Sequence, residues 1–416
     1  MFVKCYVFLL AVCLASAKNE IYKGHKVYEI VLTQKEQQEK VHALKDDSID
    51  FWRKPSFRHE TPGLAMVSET RRDWFEEKLK EIGIEKKIYI EDVFGFLEQN
   101  EMKLKTTLED GGDRIFSFDA YYRYAKIVEY LRGLQDAYPD RVEIAQSEAT
   151  AENNTIAYVK ISTSNFSEGT KPIIVVEAGI NPREWITVPA AMNVVNEIRQ
   201  DNTLLQNFDW LIIPVANPDG YEYSHTHDRL WMKSRSTYSQ FGHICPGVNI
   251  DRNFDVSWMS SDSDSSSSPC SHMYAGVEPF SEVESKFIRD LLEQYKDRIR
   301  LYVSIQNRGR FLTFPWNYVK AASGMFRQHL QLGRNMINAM TDSTNFVLDA
   351  GSYALEDKAS GTSTDYARRV GVPYPLNVDI PQGDSGFVIP EQNIQDSIGD
   401  VWRAVRVAAT ELIALN

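Results

Sequence analysis

Histidine is scarce in this chain and unevenly spread. Eight histidines occur in 416 residues, none between His59 and His225 and none between His272 and His329. Both stretches therefore lack imidazole, which excludes histidine metal ligands and histidine general bases from them. Cysteine is scarcer still: of four, Cys5 and Cys13 lie near the N-terminus and only Cys245 and Cys270 in the remainder. That is too few for a cysteine-rich zinc module or a multi-disulfide scaffold. No later segment approaches the roughly 20 apolar residues that span a bilayer. Positive charge is in deficit as well, 46 Lys and Arg against 58 Asp and Glu, a formal net charge of −12. An acidic chain repels nucleic acid and anionic membranes, so neither is expected as a partner.

What is present begins with a leader. Lys4, an apolar core over residues 5–14 and Ala15-Ser16-Ala17 have the order of a secretory signal, so residues 1–17 are expected to be removed and the protein to be extracellular. Cys245 and Cys270 are then the remaining pair; in an oxidising space they can bond to one another, two buried free thiols being the alternative. Asn153-Asn154-Thr155 and Asn165-Phe166-Ser167 are glycosylation sequons at Asn153 and Asn165. A hydrophobic content of 43% is enough for a large core, and the length allows two or three domains.

From residue 25 to 93 the pattern predicts strand 25–32, helix 34–44, strands 49–53 and 64–68, helix 70–82 and strand 87–93. This βαββαβ order implies a small ferredoxin-like α+β domain over residues 18–100, an antiparallel sheet with two helices on one face. Residues 101–114 are polar and contain Gly111-Gly112. They read as a linker, in which Lys103, Lys105 or Arg114 would be processing sites unless it is an ordinary exposed loop. Residues 115–416 alternate apolar strands (172–179, 210–216, 301–305) with helices (188–200, 281–296, 391–414). The expected fold is α/β, a mixed, mostly parallel sheet covered by helices on both faces, with its ligand crevice just beyond strand ends. Residues 260–268 are rich in Ser and Asp and read as a solvated loop.

Several motifs carry a resemblance. They are Gly179-Ile180-Asn181-Pro182-Arg183-Glu184-Trp185, Asn217-Pro218-Asp219-Gly220-Tyr221 followed by Asp228-Arg229-Leu230-Trp231, Arg252-Asn253-Phe254-Asp255 after Cys245, and Ser304-Ile305-Gln306. Together with Phe118-Asp119-Ala120-Tyr121-Tyr122, they resemble pancreatic-type zinc carboxypeptidases over nearly the whole chain, the small domain resembling the family's activation prosegment. The resemblance implies a Cys245–Cys270 disulfide and zinc-dependent release of C-terminal residues.

Position by position, the resemblance also implies losses. The family holds zinc with two histidines and a glutamate. Glu184 matches the glutamate, but Asn181 and Gln306 stand where the histidines belong, and amide oxygens are weak ligands for zinc. The general base position carries Asp379, one methylene shorter than the family's glutamate. Met232 replaces the arginine that would stabilise an oxyanion, and Asp357 occupies the place of the mobile tyrosine. Among substrate-binding positions, Arg183 and Arg252 are kept, Arg229 and Arg235 match basic residues of their block, Asp251 replaces an asparagine, and Thr364 sits at the pocket floor.

Plainer roles compete with these. Glu184 can be a structural carboxylate, Arg252 can pair with Asp251 or Asp379, and Gln306, Asn307 and Arg308 can form a hydrogen-bonded crevice floor. His225 and His227, on alternate positions near a strand end, could bind a metal with Asp228 but read more simply as surface or packing residues. The reading is an inactive carboxypeptidase relative acting as a monomeric binding or regulatory protein, with peptide C-termini or a secreted protein as partner and no cofactor. A divergent active zinc carboxypeptidase, retaining zinc, is the alternative.

Overall fold

The computed structural model describes residues 18–44, 48–109, 116–164, 166, 169–239, 241–321, 323–383 and 386–414, with 104–109 described as backbone only. The expected signal segment, Arg114 and Asn165 lie outside the described residues.

The small domain forms strands β1 (Lys26–Ile30), β2 (Ile49–Arg53), β3 (Gly63–Val67) and β4 (Lys87–Ile90), with helices Lys35–His42 and Arg72–Ile82. The strands pair antiparallel in the order β2-β3-β1-β4. Side chains alternate across a strand, and here both sets are apolar. Tyr28, Ile30, Ala65 and Val67 pack beneath the domain's own helices with Phe75 and Leu79. Val27, Leu64, Met66 and Trp52 face the other way, where they join Leu230, Phe387 and Val388 of the large domain in one buried cluster.

The last strand is shorter than the sequence suggests. β4 stops at Ile90, and a helix, Val93–Glu109, begins where the strand was expected to end and runs into the segment read as a linker. Val93 and Leu97 on that helix are buried in the shared cluster, so tertiary packing overrides its polar composition.

The large domain contains β5 (Val142–Ala149), β6 (Thr155–Ile161), β7 (Ile173–Glu177), β8 (Asp209–Ile213), β9 (Ile299–Gln306), β10 (Phe311–Phe314), β11 (Val347–Ala350) and β12 (Tyr374–Asp379). They form one sheet in the order β11-β10-β12-β9-β7-β8-β6-β5. The central run β12-β9-β7-β8 is parallel, whereas β6 joins β8, β5 joins β6 and β10 joins β12 antiparallel. Ile174, Val176, Ile212 and Val303 bury one face under helices that include Thr187–Ile198 and Ile394–Ile413. On the other face Val175, Leu211 and Tyr302 pack against Ile288 and Leu292 of helix Val283–Tyr295. Cys245 and Cys270 are disulfide-bonded, closing the loop that contains the Ser/Asp-rich stretch.

Candidate functional site

Three parallel strands deliver the central residues from their carboxyl ends. β7 is followed by a turn at Gly179, where φ is +65° and an added Cβ would lie 3.0 Å from Val215 Cα, so glycine alone suits the position. The turn presents Asn181, Arg183 and Glu184 in succession. β9 ends at Gln306, and Asp379, the last residue of β12, stands beside it in register.

Asn181, Glu184 and Gln306 converge and are all buried. The Asn181 amide nitrogen donates to Gln306 Oε1 at 3.0 Å and to Glu184 Oε1 at 3.3 Å. Gln306 Nε2 donates in turn to Ser304 Oγ at 3.1 Å, and the Asn307 backbone N–H to Glu184 Oε2 at 2.6 Å. Asn181 Oδ1 is the acceptor left without a partner. Burial, reinforced by the neighbouring Asp379 carboxylate, pushes the Glu184 carboxyl up to about 7. Among the described residues, no group of three His, Cys, Asp or Glu side chains is placed to hold a metal ion.

Asp379 is not presented to the crevice as a free carboxylate. Arg308 grips it through Nε to Oδ1 at 3.0 Å and Nη2 to Oδ2 at 2.8 Å, and the Arg308 backbone N–H donates to Oδ1 at 2.8 Å. This planar two-point pairing is the strong form of the interaction. Arg308 thus does more than line a floor, and Asp379 pairs with it rather than with Arg252.

Both arginines at substrate-binding positions are engaged internally. Arg252 forms a two-point pair with Asp264, Nε to Oδ1 and Nη2 to Oδ2 both at 2.8 Å, while Asp251 stands at 3.6 Å. Asp251 is thus a second ion partner of Arg252, its carbonyl accepting from Arg252 Nη1 at 2.6 Å, while its Oδ1 accepts from the Ser363 backbone N–H at 3.0 Å. Arg183 pairs with Asp50 of the small domain and lies 4.2 Å from the Phe387 ring centroid. Asp357 pairs with Lys54, also of the small domain. Thr364 is buried, with its Oγ1 accepting from the amides of Asn317 and Asn377 at 3.2 and 3.3 Å. Met232 is buried at the wall of the remaining cavity, about 100 Å³, which Trp52, Arg53 and Lys54 roof.

The residues outside this centre disperse. His225 and His227 lie at the end of the helix Pro218–Thr226 rather than by a strand. His225 stacks on Trp185 with centroids 3.8 Å apart, His227 on Tyr223 at 4.7 Å, and Asp228 accepts from Tyr22 Oη at 2.7 Å, so the three do not converge. Arg229 donates to the Arg183 carbonyl at 2.7 Å, and Arg235 pairs with Glu152 at 3.0 Å. Asn153 is exposed in a turn beyond β5.

The stretch 260–268 is not merely a solvated loop: Ser263 is buried against Ser360, and Asp264 reaches into the crevice. Asp264, Asp50 and Lys54 are the site residues that sequence reasoning missed. Asp264 is hidden by low complexity around it, and the other two act across the domain boundary.

Residues 127–404 match the family described as zinc carboxypeptidase, and residues 28–100 match the carboxypeptidase activation peptide. Carboxypeptidase B of Helicoverpa zea is 32% identical, with 97% of each chain covered. Carboxypeptidase A2 of Mus musculus is 29% identical, over 93% of this chain and 94% of its own. The crystal structure of carboxypeptidase A from Helicoverpa armigera aligns with a TM-score of 0.87 at 30% identity, covering 95% of this chain and 99% of that one. With both parts matched and the fold shared from end to end, the chain belongs to the zinc carboxypeptidase family and carries that family's activation-peptide domain.

Proposed function

We propose that this family member does not hydrolyse peptides and acts outside the cell as a binding or regulatory protein. The observation that carries the reading is the hydrogen-bonded set Asn181–Gln306–Glu184. A catalytic zinc takes three protein ligands and an open position for water. One carboxylate and two amides, one of which donates to the other two groups, do not fit that ion. The neighbouring chemistry is closed in the same way, because Arg308 holds the carboxylate at the base position and Met232 offers no donor to an oxyanion.

The partner we favour is a secreted protein rather than a peptide C-terminus. A terminal carboxylate entering the crevice would have to displace Asp264 from Arg252 and Asp50 from Arg183. An extracellular setting is supported by the Cys245–Cys270 disulfide, which suits an oxidising compartment.

One observation favours a divergent hydrolase instead: a carboxyl pushed to about 7, as at Glu184, is poised for proton transfer at neutral pH. The deciding experiment is zinc stoichiometry after dialysis against a mild chelator, combined with assays on peptides ending in aromatic, aliphatic and basic residues. No retained equivalent and no turnover, with or without trypsin treatment and added zinc, is expected. Turnover that vanishes in Glu184→Ala would establish the hydrolase.

A further inference from the structure

In an activation peptide, a domain is held on for a time and then leaves. The contacts here point elsewhere, and we propose that residues 18–109 are a permanent part of the folded protein that stays docked after the segment joining it to the large domain is cut. This holds whether or not the crevice hydrolyses peptides.

The first ground is the apolar interface. The small sheet has two apolar faces and its own helices cover one. The other, with Val27, Trp52, Leu64 and Met66, is covered by Tyr22, Val93 and Leu97 of the same domain together with Leu230, Phe387 and Val388 of the large one, and these side chains are each less than 10% exposed. The Trp52 and Phe387 rings lie 5.7 Å apart. A contact buried to this degree resembles a domain core divided between two pieces, the character of obligate rather than transient interfaces.

The second ground is the N-terminal hook, which precedes any cut after the helix Val93–Glu109 and survives it. Lys18 Nζ donates to the His225 carbonyl at 2.7 Å, and the Asn19 backbone N–H to the His227 carbonyl at 3.0 Å. The Arg229 backbone N–H donates to Asn19 Oδ1 at 2.9 Å. Tyr22 Oη donates to the buried Asp228 at 2.7 Å. Glu101 ties the hook back to that helix through Asn19 at 2.8 Å and Lys18 at 2.7 Å.

The third ground is charge. Asp50 and Arg183 are 4% and 3% exposed, and departure of the small domain would leave Arg183 without its carboxylate. Burial raises the Asp50 carboxyl, but Arg183, joined by His272 and Trp52, outweighs it and holds the group below its usual value. Lys54 and Asp357 close the rim, so the residue at the tyrosine position has become part of the interface. Separating the domains therefore breaks both ion pairs and uncovers apolar surface.

The test is made on the full chain, with a site for a sequence-specific protease inserted between Gly111 and Gly112. After complete cleavage under native conditions the two fragments should co-elute in size-exclusion chromatography at the position of the intact protein, including after dilution to nanomolar. Elution as two separate species overturns the proposal. In mild urea, cleaved Tyr22→Phe, which removes one of the two donors to the buried Asp228 and leaves only the Leu230 backbone N–H, should release its small fragment roughly tenfold faster than the cleaved parent. An unchanged rate would remove the hook from the argument. Cleaved Trp52→Ala should separate without urea if the shared apolar cluster holds the pieces; tight co-elution of that variant overturns that part of the proposal.

Discussion

Arg183–Asp50, buried on both sides, and Arg308–Asp379, buried at its carboxylate, are two ion pairs at the crevice, yet one joins two domains and the other the ends of two adjacent strands of one sheet. The second is made locally: Arg308 lies just beyond β9, Asp379 ends β12, and a backbone N–H adds a third bond. Its geometry is set by strand register, so it forms whenever the large sheet forms. The first depends on docking, since Asp50 comes from β2 of the small sheet. The two pairs show how one crevice can be closed from within and from above, with different consequences when either is broken.

The largest effect should come from the local pair. Arg308→Met leaves Asp379 buried without a counter-ion and should lower stability by about 3–5 kcal/mol in urea unfolding. The domains should still unfold together, and Arg308→Met with Asp379→Leu should regain most of the loss. Failure of the double variant to regain stability would mean that the pair is not the unit described. Asp50→Ala should cost about 3 kcal/mol, the lower end for a buried pair because Arg183 keeps its contact with Phe387. Its signature is different: calorimetry should resolve the small domain melting ahead of the large one, and a single transition would erase the contrast between the pairs.

The Glu184 carboxyl sharpens the comparison through pH. Its folded value of about 7 stands above the usual 4.5. The folded form therefore binds the proton more tightly, and the associated stability is fully present below about 4.5 and is lost as pH rises through about 7. Glu184→Gln should flatten the stability curve between pH 5 and 8 by on the order of 2–3 kcal/mol. Glu177 and Asp365, pushed by burial to about 8 and about 7, should leave a residual slope of the same sign. An unaltered curve in the variant would show that Glu184 is ionised throughout. The smallest effect belongs to Lys54→Ala at the partly exposed rim, within about 1 kcal/mol and diminished by salt.

Much of the frame was legible because it rests on local periodicity. The βαββαβ order of the small domain and the apolar central strands follow from period-2 and period-3.6 patterns, and the structure places them within a few residues of expectation. The helix Val93–Glu109 was not legible. From residue 101 its polar composition says linker, and its first turns are anchored by burial of Val93 and Leu97 in a cluster that draws on both domains. At the site, motif position marked where Asn181, Glu184, Gln306 and Asp379 converge, since strand ends fix that geometry. Their bonding partners were harder to see. Asp264 is one acidic residue in a serine-rich run, and Asp50 lies 133 residues from Arg183, so nothing local ties either to its arginine.

The shared apolar cluster also bears on how the chain is made. Leu97 and Phe387 belong to one packed unit but are separated by roughly 290 residues. At about 5–20 residues per second of synthesis, the small domain waits some 15–60 s for the segment that completes the cover of its second face. During that interval Trp52, Leu64 and Met66 lack the large-domain part of their cluster, and the sheet presents an incompletely covered apolar face of the kind that chaperones shield. Completion of this fold is therefore a late event in synthesis, coupled to emergence of the segment around Phe387 rather than to the end of the small domain.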